Sequence, residues 1–269
     1  MVGLLQVGAH RDKQENMRKL ESLLASVDLS RIDLLVVPEY LMADPTGMDR
    51  EELYSVAEEI GGPWTDFFSK VASENGVFVV ATMFERHPEL RDGRVYNTAL
   101  LIGDDGNVKA VYRKVHLFDA YGYRESSLMA PGSSPSPVVD VRGFKVAMAI
   151  CFDLRFPELF RIYAIRGADL VAVPAGWYMG HLKEETLSVL ARARSHENVF
   201  YTAVAVQYSS RFTGRSMLVD PLGVVTVDAG IGEKIVRGEV QRSILEEARK
   251  KLPLLGMRRP ELYRELVER

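Results

Sequence analysis

Glu39, Lys114 and Cys151 differ in chemistry but share a setting: each lies at or just past the end of an apolar, β-prone run in this 269-residue chain. Cys151 ends Val146-Ala147-Met148-Ala149-Ile150 and is followed by Phe152-Asp153-Leu154-Arg155-Phe156-Pro157-Glu158, so a strand would deliver the thiol to a strand-to-helix junction. Amides at the start of a helix can stabilise a thiolate or an oxyanion there. Glu39 follows Leu34-Leu35-Val36-Val37-Pro38, where partial burial would raise a carboxyl toward the range of a general base. Lys114 follows Val108–Tyr112 and Arg113. Acyl transfer through cysteine needs a base for the thiol proton and positive charge beside the developing oxyanion, and these three residue types supply both. Singly, each has a plainer reading as a core cysteine, a loop glutamate or a surface lysine, and it is the combination that favours chemistry.

The elements that must position them read as follows. Leu4–Val7 is a short buried strand, and Arg11–Ala25 carries Met17, Leu20, Leu23 and Leu24 at helical spacing. Leu34–Val37 is a continuous apolar run of the type buried on both faces. A helix starts near Gly62-Pro63 with the proline in its first turn, and Val77–Phe84 returns as a strand. Tyr96–Ile102 and Val108–Tyr112 flank an Asp-Gly turn and predict a hairpin. The stretch from Tyr121 to Pro137 is irregular, after which Val138–Val141 and Val146–Ile150 are strands. Helix 158–166, strand 170–173, helix 184–197 and strand 200–206 repeat the alternation of the first half. The strand pair 216–219 and 224–227 leads through Glu233–Val240 to a charged C-terminal helix. Alternation with hairpins implies an α/β protein whose sheets are mixed, and two sheets covered by outer helices satisfy both. In such sheets, sites gather where strand C-terminal ends open into loops.

Composition narrows the classes. Apolar residues form 47% and charged residues 26% of the chain, enough for one large core. A formal net charge of -3 with interspersed signs gives no basic footprint for nucleic acid or for an anionic membrane. No apolar run approaches the ~20 residues of a spanning helix, and the first residues lack secretory features, so a cytoplasmic protein is expected. The single cysteine excludes an intramolecular disulfide. His10, His87, His181 and His196 show no metal-ligand spacing.

Pro38-Glu39-Tyr40, Arg113-Lys114-Val115-His116-Leu117-Phe118 and the run Cys151–Glu158 resemble, in order and separation, the three catalytic motifs of the nitrilase superfamily. The likeness extends to Gly167-Ala168-Asp169-Leu170, Ala191-Arg192-Ala193-Arg194 and Asp220-Pro221-Leu222-Gly223, nearly the whole chain, consistent with one domain over 1–269. It implies a four-layer αββα sandwich of two mixed β-sheets, with Glu39, Lys114 and Cys151 as catalytic residues joined by Glu125, the counterpart of a second catalytic glutamate in the loop after the lysine, which would orient Lys114 or the substrate. The implied reaction is attack of the Cys151 thiolate on an amide carbonyl, with Glu39 passing the thiol proton to departing ammonia and then activating water against the thioester. Lys114 and the backbone amide of Phe152 would hold the oxyanion, with no cofactor and no metal. The superfamily commonly pairs α faces, implying a homodimer or a larger even-numbered oligomer.

Within that superfamily, Cys151-Phe152-Asp153-Leu154-Arg155-Phe156-Pro157-Glu158 is similar to amidases acting on ω-amides and on deaminated glutathione, implying a small-molecule amide substrate. It is also similar to N-carbamoyl amino acid hydrolases, which stand as the alternative, ahead of a nitrilase or a non-catalytic binding member. The pocket is expected to draw on Tyr40, Met42, Tyr121, Phe152, Trp177 and Tyr178. Arg155 would either hold a substrate carboxylate or fix the turn by pairing with Asp153 or Glu158, the latter favoured. His116 is read as a packed, hydrogen-bonded residue.

Overall fold

The continuous apolar runs are buried on both faces because two sheets lie against each other and each is covered by helices on its outer side, as the computed structural model shows for residues 1–263. Strands β1 (Val2–Gln6), β2 (Leu34–Val36), β3 (Phe78–Glu85), β4 (Val95–Ile102), β5 (Val108–Arg113) and β6 (Met129–Ala130) lie in the first half. The second half adds β7 (Val139–Val141), β8 (Phe144–Met148), β9 (Leu170–Ala175), β10 (Tyr201–Val206), β11 (Met217–Val219), β12 (Val225–Asp228) and β13 (Lys234–Gly238). Helices are α1 (Lys13–Ala25), α2 (Arg50–Val56), α3 (Pro63–Asn75), α4 (Pro157–Ile165), α5 (Lys183–Asn198) and α6 (Arg242–Lys251).

The first sheet runs β13-β1-β2-β3-β4-β5 with β6 beside the start of β4, and the second runs β12-β11-β10-β9-β8-β7. Each has a parallel centre, β1-β2-β3 and β8-β9-β10, edged by antiparallel strands. The two mixed sheets expected from the alternation are therefore present. Successive side chains of β2 and the residue after it show the layering: Leu34 and Val36 enter the core shared with the second sheet, whereas Leu35 and Val37 pack with Leu20, Leu24, Trp64 and Phe68 of α1 and α3. Leu159 and Phe160 of α4 and Leu187 and Ala191 of α5 cover the second sheet.

Local chemistry starts the helices where the sequence allows. Asp12 accepts from Glu15 N at 2.7 Å at the start of α1, and Pro63 occupies the first turn of α3. Helix α2 was not expected from its few apolar positions; Asp49 and Glu52 nucleate it through a reciprocal capping box. Two further differences bear on the site. Strand β8 stops at Met148, not Ile150, and Cys151 opens a 3-10 turn over Cys151–Arg155 before α4 begins at Pro157. The stretch expected to be irregular holds β6, which ties the loop behind Glu125 to β4.

Candidate active site

Four strand ends from both sheets converge on one place. Glu39 follows β2, Cys151 follows β8, Gly176 follows β9 and Gln207 follows β10. Within each sheet these central strands run parallel, and hydrogen bonds from the Gly176 amide and from Gln207 Nε2 to Glu39 bring the C-terminal ends of strands from both sheets together at a common cleft. Lys114 arrives from the end of β5.

At the floor lies a buried charge cluster. Lys114 has a fully buried side chain, and its Nζ donates to Glu39 Oε1 at 2.9 Å and to both oxygens of Glu125 at 3.1 and 2.9 Å. Glu39 also accepts from Asn97 Nδ2 at 2.7 Å and, through its other oxygen, from the Gly176 amide at 2.7 Å. Glu125 accepts from the Tyr40 hydroxyl at 2.9 Å and from the Phe118 amide at 2.6 Å. Asn97 reaches both carboxylates, contacting Glu125 at 3.2 Å. Burying three charges is costly unless each is paired and hydrogen-bonded, and these are.

The protonation states follow from that setting. Burial pushes the Glu39 carboxyl above its ordinary value, over the opposing pull of Lys114. Burial works against the Lys114 charge too, but Glu125 and Glu39 outweigh it and hold the ammonium well above its usual range. The Cys151 thiol is pushed well up, by burial first and then by the Glu39 carboxylate beside it. A neutral thiol thus faces a carboxylate of raised basicity, the arrangement in which a proton passes to the base as the sulfur attacks.

Backbone geometry places both ends of that pair. Cys151 sits at φ 43° and Tyr40 at φ 63°, left-handed conformations unusual for residues with a Cβ. Asp153 holds the cysteine turn: its buried carboxylate accepts from the Ile150 amide at 2.9 Å, from the Tyr112 hydroxyl at 2.7 Å and from the His116 amide at 3.1 Å. Tyr112 and His116 flank Lys114, so one carboxylate registers the lysine strand against the nucleophile turn. His116 Nδ1 lies 2.8 Å from Asp153 Oδ1 and its ring stacks on Phe156 at 3.7 Å, so it packs and bonds as expected. Gln207 bridges the sheets, donating to the Glu39 carbonyl at 2.9 Å and accepting from the Ala9 amide.

Above the floor is a narrow cleft lined by Tyr40, Lys114, Phe118, Cys151, Phe152, Arg155, Gly176, Trp177, Tyr178 and Lys183. Of the expected pocket residues, Tyr40, Phe152, Arg155, Trp177 and Tyr178 are in this wall. Tyr121 is not; it stands 74% exposed at the rim. Met42 lies behind the wall, its sulfur accepting from the Phe84 amide. Arg155 corrects the favoured reading of it as a turn-fixing ion pair: Asp153 is taken up by Tyr112, Ile150 and His116, and among the described residues Arg155 makes no ion pair and its Nε is buried without a hydrogen-bond partner. Its guanidinium lies 5.1 Å from the Trp177 ring.

Sequence reasoning missed Asn97, Gly176, Asp153, Gln207, Phe118 and Lys183. Asn97 gave one signal, an amide inside the apolar strand Val95-Tyr96-Asn97-Thr98-Ala99-Leu100. Among the described residues no cluster of His, Cys, Asp and Glu is arranged to hold a metal ion, and no helix is long and apolar enough to cross a membrane.

Comparison with known proteins gives a consistent picture. A family model described as carbon-nitrogen hydrolase matches residues 1–250. The chain is 32% identical to omega-amidase NIT2 of Mus musculus, over 97% of this chain and 96% of that protein. It is 31% identical to deaminated glutathione amidase of Escherichia coli O157:H7, over 91% and 92%. Its fold superposes on a carbon-nitrogen hydrolase from Helicobacter pylori G27 with a TM-score of 0.91 at 23% identity, covering 100% of this chain and 98% of that one.

Proposed function

The chain belongs to the carbon-nitrogen hydrolase family, and from that premise we propose that it is an ω-amidase-type enzyme whose chemistry is carried by Cys151, Glu39 and Lys114. The observation that carries this reading is the buried Lys114 ammonium held between Glu39 and Glu125 at the floor of the cleft that the Cys151 thiol shares.

In this reading the amide carbonyl enters between Cys151 and Lys114. Sulfur attacks the carbonyl carbon as its proton passes to Glu39, and the oxyanion is held by Lys114 Nζ and the Phe152 backbone amide. Glu39 returns the proton to the amide nitrogen, the C–N bond breaks, and ammonia leaves a thioester on Cys151. Water then attacks that carbonyl, giving a proton to Glu39, and collapse of the tetrahedral adduct releases the carboxylic acid and regenerates the thiol. Glu125 touches no reacting atom; it orients Lys114. Arg155, which lines the cleft and makes no ion pair among the described residues, takes the carboxylate at the far end of the acyl chain in this reading. Residues 1–269 act as one catalytic domain, cytoplasmic and oligomeric through its outer α faces.

Ammonia release from succinamate, simple aliphatic amides, nitriles and N-carbamoyl amino acids, run beside Cys151→Ala, tests this. Amide turnover that disappears in Cys151→Ala is the expected result. Release from N-carbamoyl substrates alone would replace the amidase by a carbamoyl hydrolase, and turnover that survives the substitution would remove cysteine from the mechanism.

A further inference from the structure

Three cations border the cleft, and they differ in what neutralises them. Lys114 is held between two carboxylates. Arg155 makes no ion pair among the described residues, and its Nε is buried without a partner. Lys183 likewise has no carboxylate at salt-bridge distance among the described residues; its Nζ rests 3.5 Å from the centroid of the exposed Tyr121 ring. Among the described residues the cleft wall above the Lys114 cluster carries no aspartate or glutamate.

The Lys183–Tyr121 contact joins two loops across the mouth. Tyr121 belongs to the loop between Lys114 and Glu125, while Lys183 opens α5 after the loop that leaves β9. The base of that second loop is fixed, since Trp177 Nε1 donates to the Lys183 carbonyl at 2.8 Å. The lysine side chain is not fixed, because a solvent-exposed cation–π contact is weak, of order 0.5–1 kcal/mol. A carboxylate reaching the mouth offers the ammonium a charge-assisted hydrogen bond, roughly twice as strong as a neutral one.

We propose that Lys183 is a specificity-determining residue with two positions: on the Tyr121 ring when the cleft is empty, and on the distal carboxylate of a bound ω-amide, opposite Arg155, when it is filled. The assignment rests on the ω-amidase reading above. It makes the two residues of the contact opponents. Tyr121 holds the ammonium away from substrate, so removing the ring favours binding, whereas removing the ammonium opposes it.

The test compares kcat/KM for succinamate with that for 4-methylpentanamide, its neutral isostere, in full-length wild type, Lys183→Met, Lys183→Arg and Tyr121→Leu. In Lys183→Met the preference for succinamate falls about tenfold through KM with kcat little changed, and Lys183→Arg restores most of it. In Tyr121→Leu the preference rises about two- to fivefold, the size of the lost ring contact. A Lys183→Met preference within twofold of wild type, or a change of the same sign in both variants, overturns the proposal while leaving the amidase reading intact. Wild type that hydrolyses neither amide although Cys151 is alkylated by iodoacetamide overturns both.

Discussion

At the scale of single residues, the cluster sets the conditions under which each group can act. In the proposed mechanism Glu39 must be ionised to take the thiol proton, and its folded-state value is raised, so activity is expected to be lost as pH falls through a point above the ordinary glutamate value of 4.5. The acid limb of a kcat/KM profile is expected there, and a limb at or below 4.5 would show that Glu39 is not the base. Asn97 donates to the ionised carboxylate and so favours it. Asn97→Leu is expected to move the acid limb further up while leaving thiol alkylation possible, as measured by the same profile. Lys114, held well above its usual range, stays charged across the working pH and contributes no basic limb.

At the scale of elements, the loop after β9 starts in a tightly packed place. A Cβ added at Gly176 would come 2.7 Å from the Tyr40 ring and 3.3 Å from Glu39 Oε2. Gly176→Ala therefore pushes on Tyr40 and on Glu39, the proposed base, and a misplacement of about 1 Å costs on the order of 10²-fold in rate; steady-state kinetics on a folded variant, verified by circular dichroism, measures this. Elements also mark what the sequence reveals. Buried parallel strands were legible because Leu34–Val37 and Leu170–Val173 are apolar on both faces, and three charged or reactive residues stood at strand ends. Gln207 and Gly176 were not, because their side-chain and amide partners lie more than a hundred positions away, and Asp153 was not, because beside the local Ile150 amide its partners Tyr112 and His116 lie 37 or more positions away and only the fold supplies them. Helix α2 was legible in principle: Asp49 and Glu52 spell the capping box, but its single buried residue, Leu53, gives no periodicity to notice.

At the scale of the whole molecule, the cluster joins the two sheets and affects stability as well as chemistry. Lys114→Met leaves two buried carboxylates without a cation, a loss of about 3–5 kcal/mol by analogy with other broken buried pairs. Urea unfolding measures it, and the triple variant Glu39→Gln, Lys114→Met, Glu125→Gln is expected to recover most of that loss while remaining inactive. On the outside, Val189 on α5 and Leu222 border a shallow depression, and Val224 is exposed close by in sequence. Their burial in a dimer would double the 30.2 kDa mass seen by sedimentation, and Val189→Glu would return it to the monomer value.

The left-handed backbone at Cys151 has a practical corollary. A side chain at φ 43° is strained in a way that glycine relieves, so the fold alone would be better served by the substitution Cys151→Gly. Protein engineers who select this chain only for heat resistance would be drawn toward a position its chemistry needs, and would collect durable, silent variants unless every round also scored turnover.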